Sequence, residues 1–462
     1  MNAFWQLAVP AGAVAVIEAG TGRAVTYAEL TAAADATASA LALPAGKALV
    51  GLFCRNDLAS LTAYLGALRA GHAVCLLPAG AAPPAAPLLE IYAPERLLAP
   101  ANLGPWPGYR AGAPAGALAC WHRCEPAAAP AIHPDLALLL STSGTTGSPK
   151  LVRLSRANLQ ANAGAIRDYL GLTAADRAPT TLPLSYSYGL SVVHSHLAAG
   201  ATLVLGEFPP VQQATWTSFA RHAVTSFAGV PLLYELLRRL RFDPRSQPTL
   251  RTYTQAGGRL GTDTKRWFLA AADAAGARFF VMYGQTEATA RISFVPPDRL
   301  AGHSDSIGRA IPGGELSIDP ANREILYRGP NVMLGYALSR ADLAAGDTTG
   351  GLLRTGDLGR ADADGFFYIE GRLRRFLKLA GLRVSLDELE RRLEAHLGAP
   401  VACAGADEAL LVHTEAVVPA AQVLALLQAG FGLAPALATV RTGQPLARLH
   451  SGKIDYAALA HA

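Results

Sequence analysis

Short unbroken apolar runs alternate with longer stretches whose apolar residues recur every three or four positions. The runs at residues 49–54, 73–77, 136–140, 201–205 and 279–282 read as strands. A helical pattern starts at Thr26-Tyr-Ala-Glu-Leu30 and continues through an alanine-rich stretch to Leu43; others cover 59–70, 156–170 and 231–240. This alternation predicts α/β layers with mostly parallel sheets. Residues 78–130 are rich in Ala, Pro and Gly, and part of that stretch reads as loop. Farther on, 315–318 and 324–327 read as antiparallel strands of a small barrel-like part, and 365–369 as another strand. Beyond 371–381 the character changes. Ser385-Leu-Asp-Glu388 predicts a capping box opening a helix through Leu397. Strands at 401–404 and 410–413, a helix at 421–428 and a loop around Lys453 complete an α+β unit, with no internal repeat.

At 462 residues the chain suggests two or more packed units, and 51% hydrophobic against 16% charged residues argues against disorder. The net charge of +5 is spread along the chain, densest at 372–378, without the aromatic–basic module of a nucleic-acid binder. Five cysteines without regular spacing do not make a disulfide framework, and Cys120-Trp-His-Arg-Cys124 lacks a second ligand pair for zinc. No apolar run reaches membrane-helix length and no signal-peptide pattern opens the chain, so a cytoplasmic protein with no membrane span is expected.

Ser141-Thr-Ser-Gly-Thr-Thr-Gly-Ser-Pro-Lys150 follows directly on the strand at 136–140, which reads as buried. Hydroxyls and backbone N–H groups suit phosphate oxygens, and glycine admits close approach. The loop is not a Walker loop, because Ser148 and Pro149 separate Gly147 from Lys150. Tyr283-Gly-Gln-Thr-Glu287, Arg354-Thr-Gly-Asp357 and Ser451-Gly-Lys453 follow in order. The four together resemble the adenylate-forming superfamily of acyl-CoA synthetases, peptide-synthetase adenylation domains and luciferases, over nearly the whole chain.

That resemblance implies an N-terminal domain over 1–373, holding the ATP and acid pockets, and a mobile C-terminal lid over 374–462 that carries a catalytic lysine. It implies that a carboxylate attacks the α-phosphorus of ATP, and that a pantetheine thiol of CoA or a carrier protein then takes the acyl group. Ser141, Thr142, Ser143, Gly144, Thr145 and Thr146 would hold the β- and γ-phosphates. Lys150 is either a phosphate contact or a lysine packing that loop. Thr286 would touch the α-phosphate. Glu287 would ligate Mg²⁺ with phosphate oxygens and water, its alternative being a glutamate favoured at a helix start. Gly257, Gly258 and Arg259 resemble the adenine-side turn. Tyr283, followed by Gly284, would stack on the adenine unless it is a core tyrosine. Asp357 would accept both ribose hydroxyls, supported by Arg372, and Lys453 would stabilise the transition state of adenylation.

Pro183-Leu-Ser-Tyr-Ser-Tyr-Gly-Leu190 resembles the acid-pocket motif. With Gly229 and Val230, the residues Tyr186, Ser187, Tyr188 and Gly189 would line that pocket. Ser187 stands near where amino-acid-activating relatives carry Asp and several aryl-acid enzymes Asn. An α-ammonium would therefore lie unpaired, and an acyl or hydroxyacyl acid is expected. His194 and His196 read as structural. Arg374 and Arg375 stand where relatives commonly have the Lys-Asp hinge. The alternatives are transfer to an amine, release at acyl-AMP, a luciferase-like oxygenase, or a non-catalytic nucleotide-binding homologue.

Overall fold

The computed structural model describes residues 3–43, 46–80, 86–125, 130–141, 150–373, 375–379, 382–431, 433–449 and 452–461. By its contacts the chain divides into two units. One comprises Met1–Ser304, Gly308–Glu315 and Arg328–Leu353; the other comprises Asp305–Ile307, Leu316–Tyr327 and Arg354–Ala462.

The first unit is built on three sheets. The apolar runs form its largest, an eight-stranded sheet ordered Gly335–Ala337, Leu151–Ser155, Leu136–Ser141, Ala73–Pro78, Leu49–Cys54, Arg96–Ala99, Ala119–Arg123, Tyr109–Ala111. Its central strands Leu49–Cys54, Ala73–Pro78 and Leu136–Ser141 run parallel and are buried along nearly their whole length, which is why they read as continuous apolar runs. A five-stranded sheet sets Ser226–Gly229, Thr252–Gln255 and Arg278–Tyr283 in parallel, followed by antiparallel Ser293–Val295 and Arg309–Ala310. A third sheet pairs Val14–Glu18 in parallel with Thr202–Leu205. Thr26 caps the helix Tyr27–Leu41 in a full capping box with Glu29, whose carboxylate returns to the Thr26 N–H at 2.7 Å.

The stretch 78–130 holds more structure than its composition suggests. The helix Ala86–Tyr92 lies within it, as do the strands Arg96–Ala99, Tyr109–Ala111 and Ala119–Arg123, which extend the large sheet. These elements are too short, in an Ala/Pro/Gly background, to show a period. The acid-pocket motif also runs into an unforeseen helix, Ser187–Ala198.

The second unit carries nearly all of a four-stranded sheet, ordered Glu315–Ile318, Glu324–Arg328, Leu352–Ala361, Phe367–Arg372. The strand expected at 365–369 starts instead at Phe367, because Gly365 turns the chain at φ +77°. An α+β part follows. The hairpin Phe376–Leu379 and Leu382–Ser385 leads to the helix Leu386–Leu397, and a three-stranded sheet of Val401–Ala406, Ala409–Thr414 and Ala438–Thr442 packs with Ala420–Phe431 around Leu389, Leu393, Val412, Val423 and Leu427. Ser385 Oγ accepts from Glu388 N at 3.3 Å, but the box does not close: the Glu388 carboxylate pairs with Arg391 and Arg392, one turn on. Among the described residues no helix is long and apolar enough to cross a membrane.

His194 is buried, stacked on Phe4 at 4.2 Å and bonded through Nε2 to the Tyr64 hydroxyl at 2.8 Å. His196 Nδ1 donates to Val192 O at 2.8 Å, and Nε2 meets Ser226 Oγ at 3.2 Å. Both are structural histidines, as expected. Burial pushes the His194 imidazole down to about 3. An unfolded histidine titrates at about 6.5. The unfolded chain therefore takes up this proton first as pH falls, so the stability His194 contributes is whole above about 6.5 and is lost progressively towards 3, at up to ~1.4 kcal/mol per pH unit. We expect His194→Gln to flatten the acid-side fall in urea-denaturation stability between pH 7 and 4.5. An unchanged slope would remove His194 from that titration.

Candidate active site

Three parallel strands of the five-stranded sheet end in register, with Gly229, Gln255 and Val281 aligned. Their carboxyl ends are where α/β sheets place ligands, and they bring together residues the sequence keeps far apart. Gly229 ends the first strand and Val230 follows it, Gly257, Gly258 and Arg259 come after the second, and Gly284 to Glu287 after the third. The buried apolar run Phe279–Met282 fixes the third strand, and the chain then turns into a single 3₁₀ turn, Thr286–Ala288.

The acid-pocket motif meets these ends. A Cβ on Gly257, whose φ is +90°, would come within 2.6 Å of the Tyr186 hydroxyl and 3.2 Å of Val230, so Tyr186, Val230 and the glycine turn form one wall. Burial pushes the Tyr186 phenol up to about 12, which keeps it neutral. Tyr188 is buried, its hydroxyl donating to Thr254 O at 2.9 Å. A Cβ on Gly189 would collide with Pro183 O, so glycine is required where the helix begins. Ser187 Oγ lies 3.2 Å from Thr286 Oγ1, joining the acid-side motif to the turn expected on the phosphate side. Gln285 Nε2 donates to the Tyr283 hydroxyl at 3.0 Å, and Gly258 O accepts from Gln255 Nε2 at 3.0 Å; Arg259 is exposed.

Glu287 is fixed twice. Its carbonyl accepts from Met333 N at 2.8 Å, and its Oε1 accepts from the Tyr336 hydroxyl at 2.9 Å. It forms no ion pair among the described residues. A half-buried carboxylate without a cationic partner fits Mg²⁺, whose remaining ligands are water and phosphate oxygens. Lys150 Nζ sits 3.4 Å from the centre of the Tyr336 ring. Ser141 ends its strand, opposite Leu151. Thr142, Ser143, Gly144, Thr145 and Thr146 lie outside the described residues.

In the second unit, Asp357 and Arg372 face each other across the antiparallel pair of their strands. Arg372 Nε donates to Asp357 Oδ1 at 2.9 Å, and Asp357 is 1% exposed. Gly356, at φ +74°, shapes the strand beside it, and Asp357 N donates to Thr355 Oγ1 at 3.1 Å. Lys453 occupies a tight turn: Leu449 N donates to Lys453 O at 2.8 Å, and Gly452 has φ +78°. Arg374 lies outside the described residues. The Arg375 guanidinium is held by Asp387, by Glu390 at 2.6 Å and by Cys403 O at 2.8 Å, over the Tyr456 ring at 4.0 Å. Burial alone would lower its pKa; the Glu390 carboxylate outweighs that and raises it.

Sequence reasoning missed Tyr336 and Arg291. Arg291 is 2% exposed and stacks at 4.0 Å on Tyr188, whose ring bears its charge. A lone arginine among apolar and hydroxyl residues was the available signal. Tyr336 gave none, because its strand has three residues.

Gly284 packs against the backbone of 290–291, where a Cβ would collide with Ala290 O, whereas one on Gly258 would only touch Pro231 at 3.2 Å. We expect Gly284→Ala to destabilise by about 1–3 kcal/mol or more and Gly258→Ala by less than about 1 kcal/mol in denaturant titrations. Equal effects would mean that Gly284 is not needed to aim the turn.

A family model described as AMP-binding enzyme matches residues 94–337, more than half of the chain. The chain is 34% identical to sulfoacetate–CoA ligase of Cupriavidus necator, over 58% of this chain and 54% of that protein. It is 31% identical to pyochelin synthetase PchE of Pseudomonas aeruginosa, over 58% of this chain and 20% of the relative. The match thus spans about half the length of the first relative and a fifth of the second. In structure it resembles o-succinylbenzoate coenzyme A synthetase (MenE) of Bacillus subtilis, solved with ATP and magnesium ion, at a TM-score of 0.76 and 23% identity over 99% of both chains, which is a likeness of fold. With the motif residues gathered at the strand ends and the family model matched over most of the first unit, the chain belongs to the AMP-binding enzyme family, the adenylate-forming enzymes.

Proposed function

We propose that this chain activates a carboxylic acid with ATP as acyl-AMP and passes the acyl group to the thiol of a phosphopantetheine, on CoA or on a carrier protein, in the cytoplasm. The observation that carries the reading is the meeting of Ser187 with Thr286 at 3.2 Å, beside Glu287 and the Tyr186–Gly257–Val230 wall. On this reading the acid-side and phosphate-side groups would share one set of strand ends. The relatedness to a CoA ligase favours CoA as acceptor.

In the first step a carboxylate oxygen bonds to the α-phosphorus, the bond from that phosphorus to the bridging oxygen breaks, and pyrophosphate leaves. An anion approaches a polyanion, so the site must supply fixed positive charge and donors. Glu287 would hold Mg²⁺, which neutralises phosphate charge when bound. Thr286 would donate to the α-phosphate, with Ser187 orienting its hydroxyl. Lys150 and the Ser141–Thr146 loop would meet the β- and γ-phosphates, and Tyr283 and the Gly257–Arg259 turn the adenine. Asp357 is already held by Arg372 and would receive the ribose hydroxyls. Lys453 would stabilise charge shared by the carboxylate and the α-phosphate. In the second step the thiol sulfur attacks the acyl carbon, AMP leaves and the thiol proton is released.

The described groups around the acid wall are hydroxyls, apolar surface and the Arg291 guanidinium on the Tyr188 ring, with no carboxylate to pair an α-ammonium, which favours an acyl or hydroxyacyl chain over an α-amino acid. In a pyrophosphate-exchange panel we expect non-amino acids to drive exchange. An α-amino acid as best substrate would refute the pocket reading.

We propose further that the segment 374–462 turns as a lid after adenylation and withdraws Lys453. Because Asp387, Glu390 and Tyr456 hold Arg375, that side chain would move with the lid. Lys453→Ala should slow adenylation on the order of 10²–10³-fold and nearly spare thioester formation from supplied acyl-AMP. Equal losses in both half-reactions would defeat the alternation account.

A further inference from the structure

We infer that Tyr336 is the positioning residue of adenylation, its hydroxyl holding the Glu287 carboxylate while its ring face holds the Lys150 ammonium. The inference rests on the activation of a carboxylic acid proposed above. The Tyr336 hydroxyl donates to Glu287 Oε1 at 2.9 Å, and Lys150 Nζ stands 3.4 Å from the ring centre. One side chain thus touches both the carboxylate proposed for Mg²⁺ and the lysine that ends the phosphate loop.

The backbone gives the ring little freedom. Gly335–Ala337 pairs antiparallel with Leu151–Ser155, Tyr336 opposite Val152 and Ala337 opposite Leu151, the residue after Lys150. Arg153, 1% exposed, donates to Leu334 O at 3.0 Å and Tyr336 O at 3.1 Å, and also to Ala345 O. Gly335 has φ +126°, and a Cβ there would collide with Thr348 Oγ1, so the approach to Tyr336 admits no other residue without strain. Two residues earlier, Met333 N binds the Glu287 carbonyl. The segment that carries the ring therefore also fixes the backbone of the carboxylate.

The chemistry explains a tyrosine here. A lysine paired directly with Glu287 would compete with a metal for the carboxylate and would be lost to the phosphates. A phenol donates one hydrogen bond and leaves the carboxylate its charge. The ring attracts the ammonium through its π face without neutralising it. Opposite charges are thus held close and kept from pairing, each turned to its own part of a metal–triphosphate ligand.

The test separates the two contacts. Tyr336→Phe keeps the ring and loses the hydroxyl. By calorimetry we expect it to weaken ATP binding in the presence of Mg²⁺ about tenfold or more, with metal-free ATP binding unchanged. In exchange assays the Mg²⁺ needed for half-maximal rate should rise by a similar factor, with the KM for the acid unchanged. Tyr336→Leu should weaken ATP binding with and without Mg²⁺. In a Glu287→Gln background, Tyr336→Phe should add nothing, and this cycle reads the coupling even if the single variant loses stability. Wild-type Mg²⁺ dependence in Tyr336→Phe, or additive effects in the double variant, would overturn the role of Tyr336 alone. A wild-type protein without Mg²⁺-dependent ATP binding would overturn the acid-activation reading itself.

Discussion

Glu287 is half-buried and forms no ion pair among the described residues, and the elements around it answer that constraint. A carboxylate left so would be costly unless hydrogen-bonded. Here the Tyr336 hydroxyl satisfies one oxygen, and Met333 N anchors the backbone behind it. The turn that carries it starts from a strand locked in a parallel sheet, with Gly284 closing tightly on Ala290. Remove the sheet register and the carboxylate, Thr286 and Ser187 no longer share one edge.

Positive charge is handled with the same care. Arg153 and Arg291 are almost wholly buried, and neither forms an ion pair with a carboxylate among the described residues. Arg153 spends its donors on backbone carbonyls, and Arg291 lies against the Tyr188 ring. Lys150 rests on an aromatic face. In the second unit the opposite solution appears: Asp357 is paired with Arg372, and Arg375 with Glu390. Ion pairs thus hold these charges of the second unit, whereas in the first unit Arg153, Arg291 and Lys150 are held by carbonyls and aromatic faces.

Much of this was legible in the amino-acid sequence, for physical reasons. Leu49–Cys54 and Leu136–Ser141 are buried on both faces, so their apolar runs have no competing explanation. Thr286 and Glu287 were placed by the strand before them. The short elements between Ala86 and Arg123 were not legible, because three to seven residues in an Ala/Pro/Gly background carry no period. The unclosed capping box at Ser385 depended on Arg391 and Arg392 drawing Glu388 away. Tyr336 was invisible because its partners come from distant parts of the chain.

The central claim is that the acid is activated at the α-phosphorus of ATP. Its most direct measurement uses an acid labelled with ¹⁸O in both carboxylate oxygens, incubated with the protein, ATP, Mg²⁺ and an acceptor thiol. The account predicts that one ¹⁸O appears in AMP by mass spectrometry, since the attacking oxygen stays on phosphorus when sulfur displaces AMP. Label in inorganic phosphate with release of ADP, or unlabelled AMP alongside thioester, would contradict it.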